Sequence, residues 1–280
     1  MKNRIELQRG FTLVEMVMVI VITGIIAGVV AIFIRAPVQG YFDMETRVEL
    51  TDTADTALRR IGRDLRLALP NSVRTPNASC IEFLPTITGG RYRADVTGNA
   101  AAPGAQLDFT TATTTFDVLG GMTSVPVKDD MVVVYNLGIP GADAYSGVNR
   151  ATIQSADAAS ITLSAATLFP LASPANRFQV IPGKEQAVSY VCSGAGTDAS
   201  GNGTGVLQRF SGYGFVYPEP TVCPEVPAGA PQLARNVSGC AFVYNPLVNE
   251  RSGLVSLQVS LTRNSETVNL YHEVHVSNVP

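Results

Sequence analysis

The first residues that could do chemistry lie where a short basic leader meets a long apolar run. Residues 1–10 read MKNRIELQRG and end at Gly10, and the run from Phe11 to Ile34 contains a single ionisable side chain, Glu15. A carboxylate in hydrocarbon costs a few kcal/mol, so Glu15 should have a partner or a function. The peptide bond between Gly10 and Phe11 separates the leader from this run.

Four cysteines form the second candidate set, namely Cys80, Cys192, Cys223 and Cys240. Their spacings fit neither a zinc site nor a CxxC redox pair, so we expect disulfides in an oxidising compartment. Four cysteines allow three connectivities, and sequence does not choose among them. We favour Cys192–Cys223, which would close the loop after the segment 211–217.

Three other patterns resemble sites of metal binding or contact. His272 and His275 lie three apart on a predicted strand, so their side chains should diverge to opposite faces. The segment from Asp198 copies the start of a calcium loop, but its twelfth position is Arg209 where a bidentate Glu is needed. The aromatics of 210–217 are expected to pack in the core and at an edge, with a subunit contact patch as the alternative.

The composition narrows the possible classes of function. The chain has 280 residues, with 20 Lys and Arg against 23 Asp and Glu, and a net charge of −3. This balance gives no cationic footprint, so we expect no nucleic-acid partner. No GxSxG, P-loop or GxGxxG pattern is present, and we predict no catalytic residue, no metal ligand and no cofactor.

The apolar run is predicted to form a helix that spans a membrane. As a helix, residues 11–34 span about 36 Å, enough to cross a hydrocarbon core of about 30 Å. The basic residues before it predict a cytoplasmic N-terminus. A cleaved secretory signal would have a shorter apolar core and a small-residue cleavage site after it, whereas Gly24 and Gly28 lie inside this run.

The junction from Gly10 to Glu15 resembles the class III signal of type IV prepilins and pseudopilins. The resemblance implies that a prepilin peptidase cuts between Gly10 and Phe11 and methylates the new amine of Phe11. It also implies that the apolar helix is retained, and that Glu15 meets the N-terminal amine of a neighbouring subunit. The alternative is a plain membrane anchor with a chance match.

The helix is predicted to continue through 36–69 as an amphipathic segment. Apolar residues recur at steps of mostly three or four, at Met44, Val48, Ala54, Leu58, Ile61, Leu65 and Leu69. Acidic residues dominate its first half, and Arg59, Arg60, Arg63 and Arg66 dominate its second, as a solvated face with i,i+4 pairs. Pro37 and Gly40 could bend the helix, and Pro70 ends it.

Residues 70–280 are predicted to form a β-rich domain, because short apolar or β-branched runs alternate with Gly, Pro and Asn. Strands are expected near 80–84, 106–110, 131–135, 160–164, 177–181, 187–192, 206–210, 240–244, 254–262 and 267–276. Residues 263–266 read as a hairpin turn, and 85–104 and 193–205 as loops. The predicted fold class is α+β, with a long N-terminal α-helix packed on an antiparallel β-sheet, and the fold is expected to be pilin-like.

The C-terminal third carries a second, finer resemblance. The runs 188–192, 207–214, 240–244, 251–257 and 272–280 resemble a minor pilin of the mannose-sensitive haemagglutinin (MSHA) type IV pilus. Residues 85–180 contribute nothing to this likeness. The alternative that the chain resembles a J-type minor pseudopilin of type II secretion stays open, since that protein has a similar pair of strands.

These resemblances imply a low-abundance structural subunit rather than an enzyme, with a tip adhesin module as a further alternative. The implied partners are a prepilin peptidase, the major pilin, other minor pilins, the inner-membrane assembly platform and, before assembly, the lipid bilayer. The implied location is the inner membrane with a single span and a periplasmic domain, and then the fibre or cell surface.

Overall fold

The structure is a computed structural model that describes residues 10–96, 104–249 and 251–280. The chain divides into two compact units, Met1–Glu49 and Leu50–Pro280. Residues 1–9 of the predicted leader 1–10 lie outside the described residues.

A single helix, α1, runs from Leu13 to Arg66 and confirms the predicted long helix. It continues through Pro37 and Gly40. The predicted end at Leu69 is wrong by three residues, because Ala68 forms a bridge with Pro85 and the Leu69 N–H donates to the Leu84 carbonyl at 2.7 Å. The chain has therefore left the helix before Pro70.

The predicted apolar face of α1 is correct only in its second half. Met44 and Val48 are exposed by 67% and 64%. They lie in the first unit, where the large apolar side chains are exposed. From Leu50 onward the helix buries one face in the second unit, and this face consists of Leu50, Ala54, Ala57, Leu58, Ile61 and Leu65.

Within the described residues, thirteen strands follow the helix, and they confirm a β-rich domain with antiparallel pairing. They are β1 Arg74–Asn77, β2 Cys80–Phe83, β3 Thr88–Tyr92, β4 Thr113–Leu119, β5 Met131–Val134, β6 Arg150–Ala156, β7 Ser160–Thr167, β8 Arg177–Ile181, β9 Val188–Ser193, β10 Gly205–Ser211, β11 Gln232–Asn249, β12 Ser252–Arg263 and β13 Glu266–Ser277.

Seven of these strands form one sheet in the order β1-β2-β9-β10-β11-β12-β13. The main core lies between this sheet and the buried face of α1, where Leu58 and Ile61 meet Phe83, Phe242 and Leu257. Side chains alternate between the two faces of the strands, so one face of the sheet packs against the helix and the other carries a mixture of polar and apolar side chains.

The remaining six strands close into a barrel in the order β3-β4-β7-β6-β5-β8, which the sequence did not predict. The barrel strands β3 to β8 lie between β2 and β9 in the sequence, and β2 and β9 pair with each other, with Phe83 opposite Val188. The barrel is therefore an insertion in the connection between two paired strands. Phe116 and Phe178 meet edge to face in its separate core, with ring centroids 5.7 Å apart. A further apolar cluster joins the barrel to the sheet through Val133 and Ile181.

Strand predictions failed mainly in the barrel. The strand expected at 106–110 is absent, and β4 begins later, at Thr113. Strand β3 lies inside the segment expected to be a loop, since its two glycines look like loop signals. Side chains there would clash: a Cβ at Gly89 would lie 2.8 Å from the Phe178 carbonyl oxygen, and one at Gly90 would lie 2.9 Å from the Phe178 ring.

Candidate functional site

The predicted cleavage junction is open in the structure. Gly10 and Phe11 are both exposed, and 86% of the Phe11 surface is accessible. A Cβ built at Gly10 would meet no atom within 4 Å. This chain therefore imposes no steric requirement for glycine at position 10, and any such requirement would come from an enzyme that reads the junction.

Glu15 is held at the start of α1 by Thr12 in a capping box. The Thr12 backbone N–H and hydroxyl each donate to Glu15 Oε2 at 3.3 Å, and the Glu15 N–H donates to Thr12 Oγ1 at 3.3 Å. Because α1 begins at Leu13, Thr12 is its N-cap and Glu15 its third helical residue. This pair was not predicted, although the spacing T-x-x-E signals it.

The helical environment suits a carboxylate at this position. The first turn of a helix carries unsatisfied N–H groups and a partial positive charge, both of which favour an anion. Glu15 nevertheless stays exposed. Its carboxylate can therefore accept a further donor from outside the chain.

The helix after Glu15 has the length and composition of a membrane span. Its apolar stretch has a mean hydropathy of 3.0, and none of that stretch is buried. The side chains from Leu13 to Ile34 expose their apolar surface on all sides, as expected for a helix whose solvent is lipid or other helices.

A family model described as the prokaryotic N-terminal methylation motif matches residues 7–31. The match covers the cleavage junction, Glu15 and most of the apolar run. No curated protein and no solved structure matches the chain. The motif and the exposed helix indicate a type IV pilin-like or pseudopilin-like protein that is anchored in a membrane. The motif implies processing by a prepilin peptidase and assembly with pilin components, which is the chemistry of a structural subunit rather than of an enzyme.

All four cysteines are paired, as Cys80–Cys223 and Cys192–Cys240. The favoured pairing Cys192–Cys223 is therefore wrong. The physical reason is the course of β11, whose register shifts near Val237 and whose Phe242 N–H donates to the Ala78 carbonyl at 2.9 Å. This turns β11 towards the β1–β2 end of the sheet and brings Cys240 beside Cys192.

A buried polar network lies under the loop that Cys223 anchors. Arg74 and Glu82 form an ion pair with side chains 8% and 1% exposed, and Arg74 Nε donates to Glu82 Oε1 at 2.7 Å. The Tyr213 hydroxyl donates to Glu82 Oε2 at 2.7 Å and lies 2.6 Å from Ser189 Oγ. The Arg74 guanidinium also lies 3.5 Å from the centre of the Tyr145 ring.

This network fixes the protonation of its tyrosines. Burial, reinforced by the charge of Glu82, raises the pKa of Tyr213 and of Tyr145 well above the usual value near 10. Both phenols therefore stay neutral at physiological pH and act as hydrogen-bond donors. The members come from four distant segments, so no local sequence pattern could have revealed the network, and we assign it a structural role.

The other candidate residues from the sequence have positions and contacts that fit a structural role. His272 lies on the helix side of β13 and His275 on its exposed side, as predicted. Asp198 Oδ1 accepts from the N–H groups of Ser200 and Asn202, which organises the loop internally. Across the described ranges, no group of three or more His, Cys, Asp or Glu side chains could hold a metal ion.

The aromatic segment 210–217 is partly buried, as expected for packing. Phe210 and Tyr213 stack with centroids 4.8 Å apart, and the Arg150 guanidinium of the barrel lies 3.5 Å from the centre of the Phe215 ring. Tyr217 is 49% exposed. The segment thus connects the sheet to the barrel, and its exposed large side chains are Val216 and Tyr217 at its end.

Arg59 of α1 makes the predicted i,i+4 contact. Arg59 Nε lies 2.6 Å from Asp55 Oδ2 in an exposed pair. Asp64 instead accepts from the Tyr190 hydroxyl at 2.6 Å and from Arg209 Nε at 3.2 Å. Arg209, the residue that excludes a calcium loop, also contacts Glu185 at 2.8 Å, so it ties the helix to the sheet.

Proposed function

We propose that this chain is a minor subunit of a type IV pilus of the MSHA type, similar to the minor pilin MshO. In this role it initiates or supports pilus assembly and thereby surface attachment. The observation that carries the proposal is the methylation motif at Gly10 and Phe11, followed by an apolar helix whose surface is uncovered.

The mechanism is physical rather than catalytic. Prepilin peptidase removes residues 1–10 and methylates the amine of Phe11. The helix then stays in the inner membrane until burial among other pilin helices replaces burial in lipid. Glu15 sets the axial register by pairing with the Phe11 amine of a neighbour, and Thr12 supplies its hydrogen bonds until that amine arrives.

The proposed topology places the N-terminus in the cytoplasm and residues 70–280 in the periplasm. Two disulfides support this placement, because such bonds persist in oxidising compartments. The partners of the subunit are then the major pilin, other minor pilins, the inner-membrane assembly platform and, before assembly, the bilayer.

The MSHA assignment is supported by the C-terminal runs 188–192, 207–214, 240–244, 251–257 and 272–280, which overlap the five strands β9 to β13. A J-type minor pseudopilin of type II secretion would use the same N-terminal chemistry in a short periplasmic fibre. Shearing fibres from cells and detecting the β domain in the sheared and cell-bound fractions separates the two. We expect to find the chain in sheared fibres. The variant Glu15→Val should lower the amount of the chain in that fraction. The control is Glu6→Val, which changes a residue of the leader.

A tip adhesin is a second candidate, favoured by the inserted barrel. A closed module on the connection between two paired strands can bind a ligand without disturbing the sheet. Val125 and Val127, in the connection between barrel strands β4 and β5, are 46% and 64% exposed. If the barrel is adhesive, Val125→Ser with Val127→Ser should lower attachment of cells while the yield of sheared fibres is unchanged.

A further inference from the structure

Strand β13 is an unprotected edge of the seven-stranded sheet. It has twelve residues and pairs along its whole length with β12, which is its one partner among the described strands. The opposite edge, β1, has four residues, a register shift and Pro76. Short length, irregular pairing and proline protect many edges, and β13 has none of these three, although it carries charged side chains at Glu266 and Glu273.

The hairpin turn determines which groups of β13 face outward. Asn264 and Ser265 both have positive φ, 53° and 67°, in a two-residue turn between Arg263 and Glu266. In such a turn the flanking residues form a hydrogen-bonded pair, and alternate residues then bond across the ladder. Six residues of β13 therefore direct their N–H and C=O groups to the free edge: Thr267, Asn269, Tyr271, Glu273, His275 and Ser277.

A basic cleft lies beside this edge on the helix side of the sheet. It has a volume of about 410 Å³ and is lined by Asp55, Arg59, Gly62, Arg63, Arg66 and His272. A Cβ at Gly62 would lie 3.1 Å from Val274 Cγ2 and 3.2 Å from His272 Nε2, so α1 passes closely over β13. Arg63 and Arg66 are exposed and have no ion-pair partner in the part of the chain that the structure describes.

We propose that the edge of β13 accepts an extended acidic strand from another subunit. The strand would pair with the outward backbone groups of β13 and turn every second side chain towards α1. Side chains on one face of a strand repeat at about 7 Å, close to the spacing of about 5–6 Å between neighbouring turns of a helix. Carboxylates at alternate positions would therefore meet Arg63 and Arg66.

The charge of the cleft argues against a second copy of β13 as the occupant. In a two-fold β13–β13 pair, the side chains turned to the cleft would be those on the helix side of the strand. That side carries Val268, Leu270, His272, Val274 and Val276, and its one carboxylate is Glu266 at the hairpin end. An acidic segment of a different subunit complements the arginines. The statement that this strand comes from a fibre subunit rests on the proposed function. The binding of an acidic strand to β13 does not.

The test uses the full chain in detergent micelles and the fluorescent peptide EVEVEVEV, with KVKVKVKV as its charge control. We expect the acidic peptide to bind and the basic one to bind at least about tenfold more weakly. Asn269→Pro removes one outward N–H without touching the β12 ladder, and should weaken binding about tenfold. Asn269→Ala is the matched control, since both variants lose the side-chain contact with Ser260.

Arg63→Gln combined with Arg66→Gln should weaken binding at low salt, whereas Arg91→Gln on the barrel should not. Equal binding of the two peptides, or equal binding to the proline and alanine variants, would overturn the proposal. If Asn269→Pro does not fold, unchanged binding of the acidic peptide by the arginine double variant would overturn the proposal. Peptide binding needs no processing at Gly10, so its failure leaves the pilin assignment standing.

Discussion

Arg74 and Glu82 face each other across the paired strands β1 and β2, and their buried charges are joined by a hydrogen bond of 2.7 Å. Breaking such a pair leaves one uncompensated charge in the interior, at a cost of about 3–5 kcal/mol. Arg74→Met should lower the free energy of unfolding of the β domain by about this amount, measured by denaturant titration in micelles. Arg91→Met, on an exposed barrel strand, is the control. A loss below about 1 kcal/mol would contradict the burial of the pair.

The buried tyrosines predict a loss of stability at alkaline pH. The pKa values of Tyr145, Tyr190 and Tyr213 are raised in the folded state, and burial is the main cause. The folded chain thus binds protons that the unfolded chain releases near pH 10, so stability is complete below that pH and falls above it. Tyr213→Phe should reduce the slope of unfolding free energy above pH 10. A slope equal to that of the unaltered chain would contradict the account.

The disulfide pairing can be read directly by mapping peptides without reduction. We expect linkages Cys80–Cys223 and Cys192–Cys240. Replacing Cys80 and Cys223 together by Ser should cost about 2–5 kcal/mol of unfolding free energy. The segment around Phe215 should also gain proteolytic cuts, because this bond ties its loop to β2. A Cys192–Cys223 linkage in the native chain would show that the course of β11 is wrong.

The Thr12 cap predicts a local effect at the start of α1. Thr12→Ala removes one N-cap oxygen, worth about 1 kcal/mol, and should speed amide hydrogen exchange at residues 13–17 several-fold in micelles. Thr12→Ser keeps the hydroxyl and should exchange like the native chain. Equal exchange in the alanine and serine variants would show that Thr12 does not cap the helix.

Sequence patterns predicted the elements whose causes are local. The apolar run after Phe11 indicates its helix directly, and Asn264 with Ser265 indicates a turn because both tolerate positive φ. The T-x-x-E spacing of Thr12 and Glu15 is equally local, so the cap was predictable although it was missed.

The features that were not predictable depend on distant contacts. Gly89 and Gly90 look like loop residues, yet they allow β3 to approach Phe178 closely in the barrel. The partner of Cys192 depends on where β11 turns, which involves Ala78 far along the chain. The open edge at β13 likewise follows from the order of strands in the sheet, which no periodicity encodes.

The central claim is that the chain is processed between Gly10 and Phe11 and kept with its apolar helix. The most direct measurement is mass spectrometry of tryptic peptides from membranes and sheared fibres. Trypsin cuts after Arg9 and Arg35, so a processed chain yields the peptide 11–35 with an N-methyl group on Phe11, which is the predicted result. An unprocessed chain yields the peptide 10–35, beginning at Gly10, and finding only that peptide would contradict the account.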